Sequence, residues 1–155
     1  MMFNSPRSRG LVLLITSLCV VACTEEPADP HAGQPVTQRR AILKQISGTM
    51  EQMSLVLRDR KNYEPQEFAA NAAELNRLAS TPWSHFPAGS DYSPSHARDE
   101  VWDNPDEFKH QQQRFEDSTK NLQIAAQSHN MAEIRVAHDA VIRNCRACHA
   151  KFYRN

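Results

Sequence analysis

Close to the end of the 155-residue chain, Cys145, Cys148 and His149 form the run C-x-x-C-H. On a helix, residues spaced i, i+3 and i+4 share one face, so two thiols and an imidazole here can address a single flat ligand. Two thioether bonds to the vinyl groups of one haem and one imidazole bond to its iron fit that spacing, and the run is the attachment signature of c-type haem. Three other chemistries use similar residues. Zinc needs a fourth ligand, and the chain has no second cysteine pair while its other six histidines are scattered. A redox dithiol belongs at a helix N-terminus in a βαβ setting, where the dipole lowers the thiol pKa. A disulfide between cysteines three apart closes too small a loop to constrain the chain much.

Such a site needs a helix beneath it and a packed body around it, and the helical period runs through most of the chain. Apolar residues at Ile42, Ile46, Met50, Met53 and Leu57, widened by Leu43 and Val56, predict a first helix from about Val36 to Arg60. A second starts with Pro65 in its first turn, carries Phe68, Ala72, Leu75 and Leu78 on one face, and ends before Pro82. Residues 81–100 contain three prolines and the densest aromatic cluster, a long connection that is not purely solvent-facing. The run Asn104-Pro105-Asp106-Glu107 then offers a cap, a first-turn proline and two acids suited to the dipole of a third helix, whose inner face is marked by Phe108, Phe115 and Leu122. The pair His129-Asn130 closes it, and Asn130 with Glu133 forms the capping box of a fourth. Ile134, Ala137, Val141, Cys145, Cys148 and Phe152 follow along one stripe, so both cysteines face the core.

Short first and third turns, a longer middle connection and no convincing strand alternation predict an all-α fold. It is an antiparallel, up-down-up-down four-helix bundle over residues 37–155 with covalently attached haem. In that topology the start of the first helix and the end of the last meet at one end, which also receives the aromatic connection. Leu43 then lies at the height of His149, while Met50 and Met53 lie about 10–15 Å further along the axis and read as core methionines. His138 shares the stripe of the last helix but stands about 16 Å before His149, too far to ligate the same iron. It and His31, His85, His96, His110 and His129 read as satisfied or solvated histidines.

The N-terminus carries an address. Arg7 and Arg9 precede the apolar run Leu11 to Ala22, which reads as a secretory signal over residues 1–22. The run VVAC resembles a bacterial lipobox, so Cys23 is either lipidated or the unmodified first residue after ordinary cleavage; both readings export the protein to the periplasm. Residues 23–36 are rich in proline and in small or charged residues and predict a flexible tether. Loss of Arg7 and Arg9 leaves sixteen basic against eighteen acidic side chains, a net charge of −2 that gives no reason to bind nucleic acid or an anionic membrane. Membrane contact is thus expected only through a lipid on Cys23.

An exported bundle with C-x-x-C-H on its last helix resembles the cytochrome c′ family, the class II c-type cytochromes, over about residues 36–153. RRAILKQISGTMEQM from Arg39 to Met53, HFPAGS from His85 to Ser90, Trp102 in EVWDNPDEF, and CRACH carry the resemblance. It implies one covalent haem c held by Cys145 and Cys148, with His149 as axial iron ligand. It maps the distal position onto Leu43, where low-spin relatives carry methionine, and a propionate partner onto Arg39, with Arg40 as the alternate. Leucine cannot ligate iron, so the expectation is five-coordinate, largely high-spin haem that favours nitric oxide or carbon monoxide over oxygen. Phe86 and Trp102 would wall the pocket or serve as plain core. The family's usual arginine four residues after the haem histidine is replaced by Tyr153, with Tyr153 or Lys151 left to compensate on the proximal side.

The resulting expectation is a haem-binding and electron-transfer protein rather than an enzyme, with small gases as ligands and an unidentified redox partner. The alternative is a low-spin, six-coordinate electron carrier with a methionine such as Met50 on the iron. Nitric oxide reduction would be a third reading, but no general acid, base or substrate pocket is legible for it. The resemblance also implies a homodimer through the first two helices.

Overall fold

The computed structural model describes residues 29–154. The expected secretory signal, Cys23 and the first residues of the tether lie outside that range. Helix α1 spans Pro35–Leu57, α2 Pro65–Leu78, α3 Glu100–Asp103, α4 Pro105–Ser128 and α5 Met131–Phe152. The four long helices pack in chain order, α1 on α2, α2 on α4 and α4 on α5, as expected of an up-down-up-down bundle.

Local chemistry explains most boundaries. Pro35, Pro65 and Pro105 each occupy a first-turn position, where a missing N–H costs nothing. Asn130 caps α5, its side chain accepting from the N–H groups of Ala132 at 3.0 Å and Glu133 at 3.5 Å. Glu133 answers the Asn130 side-chain amide at 2.9 Å rather than its backbone, a variation on the expected box. At the head of α4 the residue order is as expected, but the Asn104 side chain makes no capping bond. Helix α1 stops three residues earlier than expected, because Asp59 turns into the left-handed region at φ 56. The short α3 inside the aromatic connection was not foreseen.

Below the haem motif's end the core is closed. Met53, Phe68, Ala72, Leu75, Leu122, Ile134 and Val141 are fully or almost fully buried, each large side chain contributing about 1.5–3 kcal/mol of transfer free energy. His138 lies within this region, 4% exposed, with its Nε2 3.0 Å from Ser54 Oγ. Burial lowers its pKa, so it is a satisfied, neutral core histidine. The Arg135 guanidinium donates to the Leu57 carbonyl. Both contacts set one antiparallel register between α1 and α5: three residues on along α1 is three residues back along α5.

Residues 29–36, expected to belong to a flexible tether, are instead fastened to the body. Asp29 is 5% exposed; its Oδ2 accepts from the N–H groups of Val36 at 3.0 Å and Thr37 at 3.1 Å, and its Oδ1 accepts from Tyr92 at 2.7 Å. It thereby satisfies donors that open α1 from six residues upstream of the helix. The His31 ring stacks on Tyr92 at 3.9 Å. Burial works against the charge of Asp29, but the bonds from Tyr92, Thr37, His31 and Val36 outweigh it and hold the carboxyl below its ordinary range. A group with a depressed folded pKa stabilises fully above its unfolded value, about 3.9, and loses that contribution as pH falls through the folded value. Asp29→Asn is expected to lower the urea midpoint at pH 7, and the gap from the parent is expected to narrow as pH drops through the acid range below about 4. A gap that is constant with pH would show that the carboxylate charge plays no part.

Candidate functional site

At the other end of the bundle the same two stripes are left open. On α5, Cys145 and Cys148 are only half-buried and His149 is exposed, although Ile134, His138 and Val141 before them are closed over. On α1, Leu43 and Met50 are likewise half-buried. Cys145 packs against the main core, whereas Cys148 packs against a second cluster of Ala97, Val101, Phe108 and Phe152. The two thiols therefore sit where the core divides.

The register fixed at the closed end decides what faces His149. Eleven residues back along α1 from Ser54 is Leu43, and eleven on along α5 from His138 is His149. Both steps cover about 16 Å of helix axis, so Leu43 and His149 stand level. Met50 and Met53 lie seven and ten residues further along α1, about 10–15 Å away in height. Met53 is fully buried, and Met50 packs on the main core.

Aromatic side chains close the end. Phe86 and Trp102 pack on the cluster that holds Cys148. Trp102 Nε1 donates to the Pro87 carbonyl at 3.0 Å, and Phe86 meets Phe108 edge-on at 5.2 Å. Trp83, not singled out from the sequence, joins both clusters and donates to Glu116 at 2.8 Å.

Arg39 is 2% exposed. Its Nη1 donates to the His85 carbonyl at 2.9 Å and Ser90 Oγ at 2.7 Å, its Nη2 to the Ser90 carbonyl and to Ser95 Oγ at 2.6 Å, and its carbon lies 4.5 Å from the Phe86 ring centre. These protein partners were not foreseen: the guanidinium ties the start of α1 to the connection between α2 and α3. A propionate would be an addition to this set.

On the proximal side the expectation left Tyr153 and Lys151 open. Tyr153 stacks on His149 at 5.1 Å between ring centres. Lys151 is turned away, paired with Glu107, and Arg154 reaches the Ala97 carbonyl at 3.3 Å and Asp99 at 3.6 Å. Of the candidates for that face, Tyr153 is the one that meets the imidazole.

The electrostatics suit haem rather than the competing chemistries. Burial raises the Cys145 thiol, and burial together with the neighbouring Cys145 pushes Cys148 up to about 11. Both are protonated near neutral pH, unlike the low-pKa thiolate of a redox pair. The two cysteines are unpaired, and among the described residues no group of three metal-binding side chains converges. Desolvation lowers the His149 pKa, keeping a lone pair available to iron. Two buried polar atoms, Tyr63 Oη and Gln111 Oε1, have no partner among the described residues, and Gln111 is the one near this end. The contacts of Lys151 with Glu107 and of Asn144 with the Arg114 carbonyl put Gln111 level with Ala147, between the two cysteines. Its only sequence signal was a polar residue on the stripe between Phe108 and Phe115. Paired thiols where the core divides, the apolar and aromatic side chains that would line a recess around them, and an unpartnered acceptor at their level fit a flat, largely apolar group with polar edges.

Residues 34–153 match the family model described as cytochrome c′. The chain belongs to that family. It is 30% identical over 114 residues to a cytochrome c′ of Alcaligenes xylosoxydans xylosoxydans, covering 74% of this chain and 88% of that one. It is 27% identical to cytochrome c-556 of Agrobacterium tumefaciens (strain II Chrys), over 76% of this chain and 94% of the relative. Among solved structures, the nitric oxide complex of a leucine-to-alanine variant of the Alcaligenes xylosoxidans cytochrome c′ superposes with a TM-score of 0.74 at 27% identity, over 79% of this chain and 95% of that one. As a member of the cytochrome c′ family, the chain is a c-type haem protein. Cys145 and Cys148 are the residues that would form the thioethers and His149 the one that would ligate iron. Among the described residues no helix is long and apolar enough to cross a membrane.

Proposed function

We propose that this cytochrome c′ binds small diatomic gases, nitric oxide or carbon monoxide, in the periplasm at one haem whose iron takes its only protein ligand from His149. The observation that carries the reading is the level placement of Leu43 and His149. When bound, the haem supplies an iron with one face for His149 and one for a gas, and a change of oxidation state in support. Leu43 offers that face neither a ligand nor a hydrogen bond, and its apolar bulk excludes water. The absence of a donor disfavours oxygen, whose bound form is stabilised by hydrogen bonding. Phe86 and Trp102 limit the recess, and Arg39 holds the connection that carries Phe86 against the start of α1. Cys23 supplies a membrane attachment if it is lipidated.

Optical spectra of the purified ferric and ferrous protein test this. The expected result is a five-coordinate, largely high-spin spectrum that changes on adding carbon monoxide to the ferrous form. A low-spin spectrum with a sulfur-to-iron band in the parent would overturn the reading in favour of an electron carrier. Leu43→Met is expected to produce that low-spin spectrum by putting a thioether at the level of His149, with loss of most carbon monoxide binding.

A further inference from the structure

His149 stands in the last turn of α5 and is exposed. An axial ligand must keep its ring plane and its lone pair aimed at the metal. Two rings lie in a row outside it. Tyr153 stacks on His149 with centres 5.1 Å apart and planes 28° apart, and His96 stacks on Tyr153 at 5.3 Å and 14°. Both separations fall within the range of favourable offset stacking.

The stack is built into the backbone. Tyr153 leaves α5 in an extended conformation, with its N–H on the His149 carbonyl at 3.1 Å. The chain beyond the helix then pairs with the connection before α3: Arg98 N–H donates to the Phe152 carbonyl at 3.0 Å, and Arg154 N–H donates to the His96 carbonyl at 2.8 Å, around an isolated bridge between Ala97 and Tyr153. His96 Nδ1 lies 3.0 Å from the Arg154 carbonyl, which sets the plane of the outer ring. On one side Phe152 is anchored 5.1 Å from Phe108; on the other, Ser95 is held by Arg39. Tyr153 is 41% exposed, but its main chain is fixed at both neighbours, so only a change of side-chain rotamer takes the ring off the imidazole.

We infer that Tyr153, backed by His96, is a positioning residue that holds the His149 ring by its face. The inference rests on the reading of His149 as the iron ligand. The ring does the work, not the hydroxyl, for which no bond is found among the contacts of the stack.

Resonance Raman spectroscopy of the ferrous holoprotein reads this through the iron–imidazole stretching band, with far-ultraviolet circular dichroism checking that each variant is folded. The parent and Tyr153→Phe are expected to give the same single narrow band. Tyr153→Ala is expected to broaden it and move it to lower frequency, and His96→Ala to do so to a smaller degree while leaving Tyr153 in place. A band unchanged in Tyr153→Ala would overturn the inference, and so would a Tyr153→Phe band displaced as far as that of Tyr153→Ala. A parent protein without any iron–imidazole band would overturn the five-coordinate reading of the haem, and the inference with it.

Discussion

Replacing Cys145 and Cys148 together with alanine is expected to leave a chain from which all haem is extracted by acidified acetone, where the parent retains it. Mass spectrometry of the intact chain would show the loss of one covalent haem, and each single variant would keep one attachment. The structural effect should be confined to one end. Leu43, Cys145 and Cys148 are half-buried, beside only a small cluster of Ala97, Val101, Phe108 and Phe152. The opposite end is sealed by Ile134, Val141, Leu122 and the Ser54–His138 contact. Amide hydrogen exchange should therefore accelerate in residues 85–98 and in the last turns of α5, and change little around Ser54 and His138. Uniform acceleration across all four long helices would show that the sealed end does not stand without the haem.

The second large effect is expected at Arg39. Arg39→Met keeps apolar bulk against Phe86 but leaves the His85 and Ser90 carbonyls and the Ser90 and Ser95 hydroxyls without their charged donor. Buried acceptors orphaned in this way cost about 1–3 kcal/mol apiece in isolation, and breaking a buried charged network costs about 3–5 kcal/mol in total. For a body of this size that is a fall in Tm of about 10–15 °C, measured by circular dichroism. The connection should also loosen, seen as proteolytic nicking within residues 86–95. A Tm within about 2 °C of the parent would mean that the loop relaxes enough to rehydrate those acceptors at little cost.

These two sites mark how far sequence reasoning reached. The haem motif was legible because its chemistry is local: three residues on one helical face state both the ligand and its attachment. Helix α2 was legible because Pro65 and the spacing of Phe68, Ala72, Leu75 and Leu78 agree with one another. The level placement of Leu43 with His149 followed from topology alone, and the register set by Ser54–His138 and Leu57–Arg135 supports it. Arg39 was recognisable as a candidate, but not its burial, because its acceptors are serines and carbonyls in a stretch without period. Asp29 was missed for a related reason. A cap reached from six residues before the helix, and completed by a tyrosine 63 positions later, leaves no local pattern. Gln111 and His96 owe their interest to what stands opposite them in the fold, which no spacing rule reports.

Asp29 also settles an orientation. It fastens the chain where α1 begins, at the same end as the last turn of α5, so whatever precedes it departs from the end that bears His149. Five residues separate Cys23 from Asp29, a span of at most about 20 Å when fully extended. A lipid on Cys23 would therefore moor the molecule by its open end, with the closed end pointing away from the bilayer. Gases dissolved in the membrane, or a redox partner embedded in it, would then meet the Leu43 recess at short range, and a soluble partner approaching from the periplasm would meet the sealed end first. If Cys23 is lipidated, the direction the protein faces would be set by where Asp29 is fastened as much as by the anchor itself.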